Sequence, residues 1–205
     1  MEDRAVGVGP WVGPIPEDPR LDPQLLAEGD TRNVEDEFRY WTVEAIVEEL
    51  ASRRHGFHVA IENLEHDFNI GSIVRTANAF NAGAIHIVGK KRWNRRGAMV
   101  TDRYLEVIHH ESPADLAAWA GERGLVVLAI DNIDGCVPIE TFPLPERCVL
   151  FFGQEGPGLS PEAVAISQAV LEISQFGSTR SMNAGAAAAV AMHAWIRQYV
   201  FGQNP

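Results

Sequence analysis

The chain has 205 residues, 46% hydrophobic and 22% charged, with 17 Lys and Arg against 28 Asp and Glu for a formal net charge of −11 at pH 7. At about 100 to 200 residues per domain, this is one domain with an extension; its apolar content excludes a wholly disordered chain, and no run of about 20 uncharged apolar residues is present to span a membrane. Taken whole, the acidic balance argues against nucleic acid, whose phosphates repel such a surface.

The first residues, MEDRAVGVGPWVGP, do not lead from a basic segment into an apolar stretch, so a cytoplasmic protein without a secretory signal is expected. Residues 1–33 carry Pro10, Pro14, Pro16, Pro19 and Pro23 and no sustained period, which reads as an irregular arm. Over residues 34–54, Phe38, Trp41, Ala45, Val47 and Leu50 fall near helical spacing among acids, predicting an amphipathic helix. The charge is concentrated here: residues 1–67 hold 16 acids and 6 bases, leaving 12 acids and 11 bases for the rest.

Residues 55–205 form the expected globular domain. FHVAIE reads as a strand, IGSIVRTANAF as a helix and AIHIVG as a strand. The next segment, KKRWNRRGAMVTDR, sets six bases, Lys90, Lys91, Arg92, Arg95, Arg96 and Arg103, against one acid, Asp102, with Trp93 among them. It is either a solvated loop or an RNA contact, in which bases stack on the ring while cations track phosphates. PADLAAWAGERG then reads as a helix, LVVLAID and CVLFFG as strands, PEAVAISQ as a short helix, AVLEIS as a strand, and residues 181–199 as a long Ala-rich helix. Short apolar runs between helices predict an α/β domain, a mostly parallel sheet with helices on both faces.

In such sheets ligands collect at the carboxyl ends of the strands. Three loops there stand out. NIGSIVRTANAF offers Asn69 as a helix cap, and Arg75 as a surface ion-pair partner or a phosphate contact. FFGQEGPGLS has glycines that permit close backbone approach and one charge, Glu155; it is neither a dinucleotide fingerprint nor a P-loop. ISQFGSTRSMNAG clusters Ser178, Thr179, Arg180, Ser181 and Asn183 between apolar elements, where they line a polar ligand or Ser181 caps the last helix.

Together and in this order the three stretches resemble the SpoU, or TrmH, family of RNA ribose 2′-O-methyltransferases of the SPOUT class. Asn69, Gly71, Ser72, Arg75, Thr76, Ala77, Ala79 and Phe80 match the first motif, Gly153, Glu155, Gly158 and Leu159 the second, and Ile173, Gly177, Ser181 and Asn183 the third. The similarity spans about residues 56–200, with two departures: Ser174 stands where the family usually has proline, and Met182 where leucine is commoner. The resemblance implies a C-terminal trefoil knot, S-adenosylmethionine bound against Ile130, Gly153, Ile173, Ser181 and Met182, a homodimer, and a tRNA or rRNA substrate.

It also implies that Arg75, Asn69, Glu155, Ser181 and Asn183 form the catalytic set. The family assigns deprotonation of the hydroxyl to the arginine, but a guanidinium keeps its proton to about pH 12, so clamping a phosphate and stabilising the developing alkoxide is the preferred expectation for Arg75. The histidines show no metal-ligand spacing, so no metal is expected, and Cys136 and Cys148 read as small packing residues. The competing reading is a catalytically silent RNA-binding protein of the same fold in ribosome assembly or protection; a nucleotide-dependent oxidoreductase lacks its glycine turn.

Overall fold

The computed structural model describes residues 7–64, 69–154, 156–203 and 205, and the chain divides into two units, Met1–Arg53 and Arg54–Pro205. The first unit is not irregular throughout. Helix α1 (Pro23–Glu28) starts at Asp22, whose carboxylate accepts the N–H groups of Gln24 and Leu25. Antiparallel bridges join Val8 to Asp30 and Leu21 to Trp41. The Asp30 side chain is fully buried and accepts from the Arg32 guanidinium at 2.8 and 2.7 Å and from the Tyr40 N–H at 3.0 Å. Burial alone would raise the pKa of Asp30; these hydrogen bonds outweigh it and hold the carboxyl to about 2.

Helix α2 (Val43–Ser52) is shorter than the predicted 34–54. Its first turn is capped by the Thr42 hydroxyl, which accepts the Ala45 N–H. Upstream, Asp36–Phe38 is a 3-10 turn and Tyr40 has φ 64°, a left-handed residue that ends any continuous helix.

Among its described residues the second unit has seven strands: β1 (Phe57–Asn63), β2 (Ile85–Gly89), β3 (Val107–His110), β4 (Val126–Ile130), β5 (Val137–Pro138), β6 (Cys148–Phe152) and β7 (Ala169–Glu172). All pairings are parallel, in the order β3-β2-β1-β6-β4-β7-β5. Alternate residues feed two cores. Phe57, Val59 and Ile61 of β1 and Leu150 and Phe152 of β6 face α3 (Asn69–Ala79) and α6 (Ala184–Tyr199), while Ala60, Val149 and Phe151 face α4 (Pro113–Glu122) and α5 (Pro161–Ala165). Burial on both faces explains the uninterrupted apolar runs that identify these strands in the sequence.

The connections set up the site. From β1 the chain winds outward through β2 to β3, then crosses to β4, so the strand order reverses beside β1. After β4 it runs to the far edge at β5 and returns through residues 139–147 to β6; β7 then lies between β4 and β5. Helix α6 is hydrogen-bonded to the returning segment: Gln198 Nε2 donates to the Phe142 carbonyl, Tyr199 OH to that of Leu144, and Trp195 Nε1 to that of Glu146. Among the described residues no helix is long and apolar enough to cross a membrane.

On the α4 side of the sheet, His58, His86 and His110 form a hydrogen-bonded row across β1, β2 and β3. His58 Nδ1 lies 3.0 Å from His86 Nε2, and His86 Nδ1 lies 2.9 Å from His110 Nε2. The Trp119 ring packs over His86 with centroids 4.4 Å apart. A methyl group at Gly83 would collide with the His58 ring, so that position must remain glycine.

Candidate active site

A cavity of about 260 Å³ opens where the carboxyl ends of β4, β6 and β7 meet the start of α6. Its wall includes Ile130, Phe152, Gly153, Ile173, Ser181, Met182 and Asn183. All five expected cofactor contacts, Ile130, Gly153, Ile173, Ser181 and Met182, therefore line one cavity although they come from three loops. Gly153 packs so tightly on the backbone of Gly158 and Leu159 that no side chain fits. Asn132, Gln154 and Gln175 place polar groups among the apolar ones.

The loops are held by carboxylates that the sequence reading did not single out. Asp131 Oδ1 accepts the Asn132 N–H and Asp131 Oδ2 the Leu159 N–H, each at 2.8 Å. Gly158 has φ 73°, and a side chain there would come within 2.5 Å of Asp131 Oδ2. Glu62, 1% exposed at the end of β1, accepts the Ser160 N–H at 2.8 Å and hydroxyl at 2.6 Å, fixing the residue that caps α5. Glu140 accepts the Ser174 N–H at 2.9 Å and hydroxyl at 3.1 Å. Proline could donate neither bond, so this chain anchors the β7–α6 loop by a carboxylate where the resemblance leads one to expect a proline.

Asn69 is the first residue of α3, and its Oδ1 accepts from Asn183 Nδ2 at 2.8 Å. Asn183 Oδ1 accepts the Gly185 and Ala186 N–H groups, so Asn183, not Ser181, caps α6. This side-chain bond joins the first and third motifs across 114 residues. Ser181 is exposed at the cavity wall. Arg75 is exposed, one helical turn beyond Ser72, whose Cβ lies beside Gly185. Glu155 lies outside the described residues.

The basic segment is ordered rather than loose. Buried Asn63 donates through Nδ2 to the carbonyls of Lys90 and Arg92, and Gly97 meets Gly71 of α3 so closely that a Cβ at Gly71 would lie 2.8 Å from the Gly97 Cα. Lys90, Lys91, Arg92, Arg95, Arg96 and Arg103 are all exposed on this frame. Trp93 differs from expectation: it is partly buried and packs against the core, with the Arg95 guanidinium 5.4 Å from its ring. Arg95 also pairs with Asp102 at 3.4 Å.

Burial pushes the Cys148 thiol up to about 12, which leaves it inert as a nucleophile. Among the described residues no group of His, Cys, Asp and Glu is arranged to hold a metal ion.

Residues 56–193 match the model of the SpoU rRNA Methylase family. The chain belongs to this family. Across SpoU relatives, it is 26% identical over 156 residues to the tRNA (guanosine(18)-2′-O)-methyltransferase of Escherichia coli K12, covering 75% of this chain and 68% of that protein. It is 26% identical over 149 residues to the 23S rRNA (uridine(2479)-2′-O)-methyltransferase of Streptomyces viridochromogenes, covering 66% of this chain and 50% of that protein. The crystal structure of the SpoU methyltransferase AviRb from Streptomyces viridochromogenes in complex with the cofactor AdoMet superposes with a TM-score of 0.66 at 25% identity, over 73% of this chain and 63% of that one. The SpoU chain described here thus spans less than two-thirds of these two Streptomyces relatives.

Proposed function

We propose that the protein transfers the methyl group of S-adenosylmethionine to a ribose 2′-hydroxyl of tRNA or rRNA in the cytoplasm. The observation that carries this reading is the convergence of Ile130, Gly153, Ile173, Ser181 and Met182 on one cavity beside the Asn69–Asn183 bond, in a chain of a methylase family. The lining fits an adenosyl group: Ile130, Phe152, Ile173 and Met182 offer apolar surface for a flat ring, and Asn132, Gln154 and Gln175, with the Gly153 backbone, offer hydrogen-bonding edges. Bound there, S-adenosylmethionine supplies an electrophilic methyl on a cationic sulfur.

Alignment and charge stabilisation are left to the protein. Arg75 holds the phosphate beside the target ribose and stabilises charge on its 2′-oxygen. Asn69 and Asn183 fix α3 against α6 so that this guanidinium keeps its place, and Ser181 holds the third loop at the cavity wall. Lys90, Lys91, Arg92, Arg95, Arg96 and Arg103 bind the RNA backbone, with Trp93 as the platform on which Arg95 rests.

The same reading includes a C-terminal knot and a homodimer. The position of β7 between β4 and β5, with α6 bonded to the returning segment 139–147, supports the first. The exposed Val190, Val200 and Phe201 along and after α6 support the second.

Labelled-methyl transfer to total RNA, followed by nucleoside mapping, tests the activity; a protein that binds RNA but neither binds S-adenosylmethionine nor transfers methyl would instead be the catalytically silent relative. Reversing Lys90, Lys91, Arg95 and Arg96 to glutamate is expected to abolish RNA binding; a variant losing only those four contacts has its log–log salt slope reduced by about 3. Cofactor affinity is expected to stay unchanged in calorimetry. Gly158→Ala acts oppositely: forcing a left-handed alanine against Asp131 is expected to cost about 1–2 kcal/mol and weaken S-adenosylmethionine binding about tenfold, while RNA affinity holds.

A further inference from the structure

The loop between β7 and α6 carries a side chain that the folded chain leaves unused. Phe176 is 97% exposed, the most exposed of the large apolar residues among those described. Leaving an aromatic ring in water forgoes the stabilisation its burial would bring. The loop itself is anchored on both sides of that ring: Ser174 is held by Glu140 before it, and the Arg180 carbonyl accepts from Asn132 Nδ2 and Gln175 Nε2 after it.

The setting identifies the occupant. Gln175, the residue next to Phe176, lines the cavity. Ser178, Thr179 and Arg180 on the other side are exposed and polar, so the loop does not continue the ring into the apolar run that a protein partner buries. No acidic residue follows Glu172 in the chain, and Arg180 is an exposed cation. An exposed ring with an exposed cation on the same loop is the equipment for a nucleobase and its phosphate.

The geometry points to Phe176 as the platform on which the base of the methylated nucleotide stacks. This rests on the methyltransferase reading: the base is attached at C1′, next to the reacting C2′ hydroxyl, so a ribose presented to the cavity brings its own base to the lip.

The test compares Phe176→Ala, Phe176→Leu and Phe176→Trp in the full chain, with unmodified tRNA and rRNA fractions as substrates. The apparent KM for the methylated fraction is expected to rise about ten- to a hundredfold in the alanine and leucine variants and to stay within about threefold of wild type in the tryptophan variant. S-adenosylmethionine affinity and sedimentation coefficient are expected to be unchanged in all three. A leucine variant as good as wild type, an alanine variant with unchanged KM, or an altered oligomeric mass overturns the stacking role. Absence of methyl transfer by the wild-type protein to either fraction overturns the methyltransferase reading first, and the platform with it.

Discussion

Replacing Arg75 with alanine is expected to lower kcat for RNA methyl transfer about a hundred- to a thousandfold, the scale of losing one preorganised charge at a developing oxyanion. S-adenosylmethionine affinity is expected to remain within about twofold of wild type, because Arg75 is absent from the cavity wall. The side chain is exposed, so its removal opens no hole in the core and the folded protein should persist. Arg75→Lys keeps the charge and removes the planar fork, which separates two roles. If bidentate phosphate clamping matters, lysine is about tenfold or more slower with the same pH profile; if the guanidinium accepts the proton, lysine shifts the alkaline limb of that profile. Full turnover in the alanine variant would remove Arg75 from the mechanism altogether.

Acidification from pH 6.5 to 4 is expected to cost the protein several kcal/mol of stability through the histidine row. Each N–H···N contact in it needs one donor and one acceptor, which three neutral imidazoles supply when His58, His86 and His110 share one tautomeric direction. Protonation of His86 would place a charge inside the sheet, away from water and beside two further imidazoles. Burial is the main cause that lowers all three: His58 to about 4 and His86 to about 2, with His110 moving the same way.

A histidine whose pKa is depressed on folding stabilises the protein fully above its unfolded value, near 6.5, and loses that contribution as pH falls toward the folded value. For His58 alone the drop from 6.5 to about 4 corresponds to about 3 kcal/mol, a substantial part of a typical 5–15 kcal/mol. Asp30 acts in a separate window: held to about 2, its contribution is intact above about 4 and is lost only as pH falls further. Thermal melts at pH 7, 6, 5 and 4 read the effect. The His58→Leu, His86→Leu, His110→Leu triple variant, which leaves no partner unpaired, is expected to flatten the curve. A wild-type melting temperature that does not move between pH 6.5 and 4.5 would show that the row tolerates charge.

The sheet was legible in the sequence where both faces of a strand are apolar. β3 escaped because its segment ends in His109 and His110, which read as polar until the row gives His110 a partner. β5 is two residues long, too short to set a period. The apolar spacing over residues 34–54 extended a helix through Tyr40, whose left-handed backbone is fixed by the Asp30 carboxylate ten residues away, a contact no local pattern carries.

The site divides in the same way. Gly153 and Gly158 were visible as glycines that permit close backbone approach at a strand end, and Gly71 only as a position of the first motif. Glu62, Asp131 and Glu140 were not, since the groups they hold lie 98, 28 and 34 residues away. Only the position of Asp131, directly after the last apolar residue of its strand, offered a signal. The basic residues were legible as a cluster, but the partial burial of Trp93 depends on packing and could not be read from the residue types around it.

The strand order also sets a timetable on the ribosome. β1 pairs with β2 on one side almost as soon as both emerge, but its other neighbour, β6, begins 85 residues further along the chain, at Cys148 after Asn63. At roughly 5–20 residues per second, the nascent protein carries an open apolar strand edge for about 4 to 17 seconds. Folding variants that fail in cells but refold in the test tube are therefore to be sought between β2 and β6, where synthesis speed and chaperone access decide whether that edge finds its own partner or another chain's.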